Sequence, residues 1–175
     1  FPKTAWPPTS LLYDLLSDLP PGACERITFE ILESEKIRDF NEMVDFLNEI
    51  RKFGVKIAID DFGSGYSSLG QLQQLMADVL KLDRSFVRRG MFGTRERIVI
   101  GNVIHMAGEL GMQVICEGVE NAKQAEMLIE LGCYYAQGFY YAKPMPRDVF
   151  EGLLEKGKVL QDEKENKKGA WQRKP

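Results

Sequence analysis

Two adjacent carboxylates, Asp60 and Asp61, follow the apolar run Val55-Lys56-Ile57-Ala58-Ile59 and precede Phe62-Gly63-Ser64-Gly65-Tyr66-Ser67-Ser68. A β-branched strand that delivers two acids into a glycine turn is how a barrel enzyme presents metal ligands at the carboxyl end of its sheet. Successive strand side chains point to opposite faces, so both acids serve one site only if the strand ends there and the chain turns. The glycines favour such a turn. Taken alone, the pattern fits equally well with Asp61 or Ser64 capping a following helix. The same pattern recurs, however, where other apolar runs stop. Ile27-Thr28-Phe29 leads into Glu30, with Glu33 three positions on; Val79-Leu80 leads into Lys81 and then Leu82-Asp83. Val114-Ile115-Cys116 leads into Glu117, and Cys133-Tyr134-Tyr135-Ala136 leads into Gln137-Gly138.

Oxygen donors of this kind suit hard cations such as Mg²⁺ or Mn²⁺. Two neighbouring aspartates can bridge a pair of ions about 3.5 to 4 Å apart, the spacing used when water attacks a phosphate ester in line. A phosphodiester is the substrate class that fits. In that chemistry Lys81 supplies a fixed cation against transition-state charge, Glu117 holds an ion or accepts a proton, and Gln137 orients water or substrate. The single histidine, His105, lies at helical spacing in Ile104-His105-Met106-Ala107 and is expected on a helix surface or in the core. Serine-histidine triads and histidine zinc sites are therefore set aside.

The segments between these runs have helical periodicity: Phe40, Met43, Val44, Phe46, Leu47 and Ile50; Leu69, Leu72 and Leu75; Ile98, Ile100, Val103, Ile104, Ala107 and Leu110; and Ala125, Leu128, Ile129 and Leu131. Strand followed by helix, repeated, predicts an α/β fold with a parallel sheet, and the site at the strands' carboxyl ends. A closed eight-stranded barrel usually needs roughly 250 residues. With 175 residues, the expectation is an incomplete TIM-like (β/α) barrel of about five of the eight βα units. A composition of 44% hydrophobic and 28% charged residues suits one soluble globular domain.

Three segments are expected. Residues 1–26, with Pro2, Pro7, Pro8, Pro20 and Pro21, read as a connecting loop around a short helix near Leu11 to Leu16. Residues 27–155 form the barrel portion. Residues 156–175 hold seven Lys or Arg against three Asp or Glu and read as a solvated tail, not a nucleic-acid arm. Cys24, Cys116 and Cys133 are odd in number and lack metal-finger spacing, which favours reduced thiols in a cytosolic compartment. No run approaches the roughly 18 apolar residues of a membrane span.

Five stretches, in order, closely resemble the EAL domain of bacterial cyclic di-GMP phosphodiesterases. They are Phe29-Glu30-Ile31-Leu32-Glu33-Ser34, Ile59-Asp60-Asp61-Phe62-Gly63-Ser64-Gly65-Tyr66-Ser67-Ser68-Leu69, Leu80-Lys81-Leu82-Asp83-Arg84-Ser85-Phe86-Val87, Val114-Ile115-Cys116-Glu117-Gly118-Val119-Glu120, and Gly132-Cys133 through Gln137-Gly138-Phe139-Tyr140 to Pro144. The likeness runs from about Ile27 to Leu154. It implies a hydrolase of bacterial second-messenger signalling that opens cyclic di-GMP to linear pGpG with two ions of Mg²⁺ or Mn²⁺. By this resemblance Glu30 and Asp60 are ligands of the first ion, with Asp60 bridging to the second, and Asp61 and Glu117 are ligands of the second. Lys81 contacts the attacking water and phosphate, Gln137 forms the floor of the site, and Glu33 braces the loop after the paired aspartates. That loop, with Gly63, Ser64 and Gly65, couples the site to a dimer interface; Asp83 and Pro144 join it on the substrate side.

The resemblance further implies a cytoplasmic homodimer with an upstream sensory or GGDEF-type domain. It implies no nucleic-acid polymer as partner, and any membrane anchor would lie in other segments of a parent protein. The Glu-Ala-Leu signature that names the family, and the family's Asn expected just ahead of Phe1-Pro2-Lys3, are not in this sequence. The expectation is thus a carboxyl-terminal portion of the domain, short of two ligands of one ion and by itself a weak or inactive hydrolase. Leu32 stands where threonine is usual and Cys116 where alanine is common. Two other readings are weighed: a degenerate EAL domain acting as a cyclic di-GMP receptor or scaffold, disfavoured because the visible ligands are kept, and an unrelated metal-dependent barrel such as an enolising lyase with a lysine base.

Overall fold

A computed structural model of the chain describes residues 9–33, 40–63 and 69–156. Helix α1 (Thr9–Ser17) and a short 3-10 turn (Cys24–Arg26) lead into β1 (Thr28–Leu32). Then follow α2 (Phe40–Arg51), β2 (Lys56–Phe62), α3 (Leu69–Leu75), β3 (Val79–Leu82), α4 (Arg84–Gly90) and α5 (Thr94–Glu109). The chain continues with β4 (Gln113–Cys116), α6 (Ala122–Glu130), β5 (Tyr135–Ala136) and α7 (Arg147–Lys156). The five strands pair in sequence order, every neighbour parallel. Helical crossovers link them, as parallel neighbours require. This is the incomplete α/β barrel expected from the alternating pattern.

Periodicity explains which faces are buried. Met43, Phe46, Leu47 and Ile50 recur at helical spacing along α2 and are all buried, as are Ile100, Ile104 and Ala107 of α5. Apart from the small Ala107, each of these side chains contributes about 1.5–3 kcal/mol through burial. The centre of the sheet is β3, whose four residues are all buried although one of them is Lys81. A lysine in that position requires partners, because an unpaired ammonium is costly away from water.

The structure departs from the sequence reading in three places. The strands do not stop before their polar residues: Glu30 lies inside β1, Asp60 and Asp61 inside β2, and Lys81 inside β3. The polar residues that follow directly after a strand are Glu33 after β1, Asp83 after β3, Glu117 after β4 and Gln137 after β5. Two helices, α4 and α7, were not anticipated. The last strand is shorter than its apolar run, with Tyr135–Ala136 alone paired to Ile115 and Cys116. His105 is exposed on α5, and the three cysteines are free and buried. Ser64, Gly65 and residues 157–175 lie outside the described residues.

Candidate active site

The adjacent aspartates share a face because β2 carries an irregularity, not because it ends. Ile59 is level with Leu80 and Phe62 with Leu82, so β2 takes three steps where β3 takes two. One residue is therefore extra, as in a β-bulge, which bends the strand and re-aims side chains. Asp61 has φ +56° in the left-handed region, a conformation that aspartate tolerates better than most residues. The Asp61 N–H donates to Asp60 Oδ1 at 3.0 Å. Carboxylate oxygens of Asp60, Asp61 and Glu117 consequently lie within 4.8 Å of one another.

Lys81 ties two of these acids, Asp60 and Glu117, to Glu30 of β1. Its Nζ lies 2.8 Å from Asp60 Oδ1, 2.9 Å from Glu117 Oε1 and 2.9 Å from Glu30 Oε1. The lysine side chain is only 11% exposed. Burial by itself would pull the ammonium pKa down, but hydrogen bonds to Asp60, Glu117 and Glu30 outweigh it and hold the pKa above the ordinary lysine value. Glu30, on β1, thus reaches the site through Lys81, while the closely spaced trio is Asp60, Asp61 and Glu117. Gln137 Nε2 donates to Glu117 Oε1 at 2.6 Å, and the Gln137 N–H donates to the Cys116 carbonyl at 2.9 Å. The amide that follows β5 is thereby set against the acid that follows β4.

Glu33 ties β1 to the turn beyond β2. Its N–H donates to the Asp60 carbonyl at 3.1 Å, and its Oε2 accepts from the Gly63 N–H at 2.6 Å. Gly63 has φ +94°, and a Cβ there would sit 1.7 Å from Cε2 of Phe86, so only glycine lets this turn pass over the α4 aromatic. Asp83 caps α4, its Oδ1 accepting from the Ser85 N–H at 2.9 Å. Burial works to raise the Asp83 pKa, but the Ser85 hydrogen bonds and the neighbouring Arg84 outweigh it and hold the carboxyl below its ordinary value.

These groups open on a cleft of about 660 Å³ lined by Asp61, Asp83, Glu117, Gln137 and Pro144. Such a volume suits a small-molecule ligand. The cleft also takes in Arg84, Glu120, Phe139, Lys143 and Phe150, which the sequence reading did not single out as site residues. Arg84, Glu120 and Phe139 stand within three residues of Asp83, Glu117 and Gln137 in sequence, and that closeness was the available signal. Nothing local marked Phe150, on the unanticipated α7. Among the described residues the clustered donors are all carboxylates, with no imidazole or thiolate in the group, which fits a hard divalent cation.

The family model for the EAL domain matches residues 9–144. The cyclic di-GMP phosphodiesterase RocR of Pseudomonas aeruginosa is 41% identical over 132 residues, covering 75% of this chain and 33% of RocR. The chain thus spans about a third of that relative's length, and 18% of the length of the signaling protein YkoW of Bacillus subtilis, to which it is 38% identical over 82% of its residues. Among solved structures, the EAL domain of Mycobacterium smegmatis DcpA superposes with a TM-score of 0.77 at 37% identity, covering 87% of this chain and 68% of that one. Klebsiella pneumoniae BlrP1, in a manganese and cyclic di-GMP complex, gives a TM-score of 0.68 at 32% identity over 77% of this chain and 34% of that one. With the family model covering most of its length, the chain belongs to the EAL domain family.

Proposed function

We propose that this chain carries the hydrolytic site of a cyclic di-GMP phosphodiesterase, opening the ring to linear pGpG. The observation that carries the reading is the convergence of Asp60, Asp61 and Glu117 within 4.8 Å, with Lys81 among the acids, at the carboxyl end of a parallel sheet. Relatives described as cyclic di-GMP phosphodiesterases support the choice of substrate.

In this reading Asp60, Asp61 and Glu117, with Glu30, would hold two ions of Mg²⁺ or Mn²⁺, which when bound would supply positive charge to acidify water and offset charge on the phosphoryl oxygens. Glu117, oriented by Gln137 at 2.6 Å, accepts the proton of the attacking water. Water oxygen bonds to phosphorus as the P–O3′ bond breaks, and the departing O3′ takes a proton from Glu117 or from solvent, leaving a 5′-phosphate and a free 3′-hydroxyl. Lys81 faces the charge that builds on the phosphoryl group. Glu33 steadies the turn at Gly63, and Asp83 and Pro144 shape the substrate side of the cleft. A second copy of the chain, an upstream sensory or GGDEF-type domain and a cytoplasmic location belong to the same proposal. Phe92, Ile98 and Val99, each more than half exposed, are apolar surface available to a second copy. No helix among the described residues is long and apolar enough to cross a membrane.

The test is to incubate the protein carrying this chain with cyclic di-GMP and Mg²⁺ or Mn²⁺, follow pGpG by chromatography, and repeat with Asp60→Asn. Turnover lost on substitution supports the reading. Binding without turnover would make the domain a receptor, and neither binding nor turnover would sink the proposal.

A further inference from the structure

A cyclic dinucleotide carries two phosphodiesters, and only one can lie at the acid cluster at a time. The second, also an anion, enters a cleft whose lining includes Asp83 and Glu120, acids outside the proposed ion site, so a cation at that wall is needed to offset them. Two cations line the same cleft, Arg84 and Lys143. The Lys143 ammonium sits 5.8 Å from the ring centroid of Phe139, so it already has an aromatic partner.

Arg84 is placed more firmly. It opens α4, whose start is fixed by the Asp83 cap, and its root is packed directly beneath the turn that follows Glu117. At Gly118, φ is +68° and an added Cβ would fall 2.4 Å from the Arg84 Cβ. Glycine therefore lets the backbone beyond the proton-accepting acid rest on the base of the arginine, which fixes the distance between the two along the cleft wall. Arg84 is exposed as a residue and lines that wall. Its planar fork can hold two oxygens of one phosphate, which a point charge cannot match.

From this juxtaposition we propose that Arg84 recognises the phosphodiester that is not being attacked, and so selects for a two-phosphate ring. The inference rests on the cyclic di-GMP reading above. It makes Arg84 a binding residue whose contact is the same in ground and transition states.

The experiment compares wild type, Arg84→Gln and Arg84→Lys in steady-state turnover of cyclic di-GMP with Mg²⁺, at low and high salt, each variant being checked for an unchanged melting temperature. Arg84→Gln should raise KM about ten-fold, the loss expected for one charge-assisted contact, with kcat within about two-fold of wild type. Arg84→Lys should recover part of the loss, because charge returns without the fork. The difference between wild type and Arg84→Gln should shrink at high salt. An unchanged KM in Arg84→Gln, or equal losses in Gln and Lys variants, overturns the assignment while leaving the hydrolase reading intact. A wild-type protein that neither binds nor cleaves cyclic di-GMP overturns both.

Discussion

Replacing Lys81 with methionine removes the cation that three carboxylates share while leaving most of the side-chain volume. Each contact, at 2.8 to 2.9 Å, amounts to about 6 kcal/mol of attraction at an effective dielectric near 20, before desolvation is charged against it. Removing one partner of a buried ion pair costs about 3–5 kcal/mol, because the remaining charges are left uncompensated. Glu30 is 49% exposed and can turn to water, whereas Asp60 and Glu117 are 16% and 18% exposed and cannot. The lower end, about 3 kcal/mol, is therefore expected, or a fall of about 6–12 °C in melting temperature for a domain of this size.

Thermal unfolding followed by circular dichroism, in chelator and then with saturating Mg²⁺, measures it. An added divalent cation neutralises the same acids, so it should stabilise Lys81→Met more than wild type and narrow the gap. The folded pKa of Lys81 is raised, so its contribution is fully present below the unfolded lysine value of about 10.4 and is lost only as pH climbs beyond it. Between about pH 7 and 10 the gap should accordingly stay level. A variant that melts with wild type in chelator, or a gap that Mg²⁺ leaves untouched, would refute the claim that the ammonium holds the acids together.

Three further substitutions probe the supports of the site. Gly63→Ala drives a Cβ into Phe86 and strains a left-handed turn, so it should destabilise by about 2–3 kcal/mol in denaturant titration, with part of the loss recovered in a Phe86→Leu background. Glu33→Ala leaves the Gly63 N–H without its 2.6 Å acceptor and should cost about 1–3 kcal/mol and lower turnover of cyclic di-GMP; equal stability and activity would show that the turn holds itself. Asp83→Ala removes the cap of α4 and should cost about 1 kcal/mol, and Asp83→Ser should restore most of it, because a serine hydroxyl can also accept from the Ser85 N–H.

The polar residues that the fold gathers around Lys81 and the cleft were legible in the linear chain. Glu30, Asp60, Asp61, Lys81, Glu117 and Gln137 each stand at or just beyond an apolar run, and runs separated by helical spacing bring their ends to one side of a parallel sheet. The buried face of α2 was equally plain, because Met43 to Ile50 repeat at the helical period; along α5 the period marked Ile100, Ile104 and Ala107 correctly but also included Ile98 and Leu110, which are exposed. Helix α4 was not, since Phe86 and Val87 are too few to display a period, and α7 was hidden because Val149, Phe150 and Leu154 are exposed and mark no core.

Only the tertiary structure decided how neighbouring aspartates come to face one site. The chain alone suggested a strand ending before them, whereas the pairing of β2 with β3 inserts an extra residue and turns Asp61 left-handed inside the strand. It also decided that Lys81 is held by three acids from three different segments, and that Arg84 stands at the wall of the cleft. Spacing along one strand says which face a side chain takes if the ladder is regular. A bulge or a shared ion contact depends on the neighbouring strand, tens of residues away, and so is settled by register and packing.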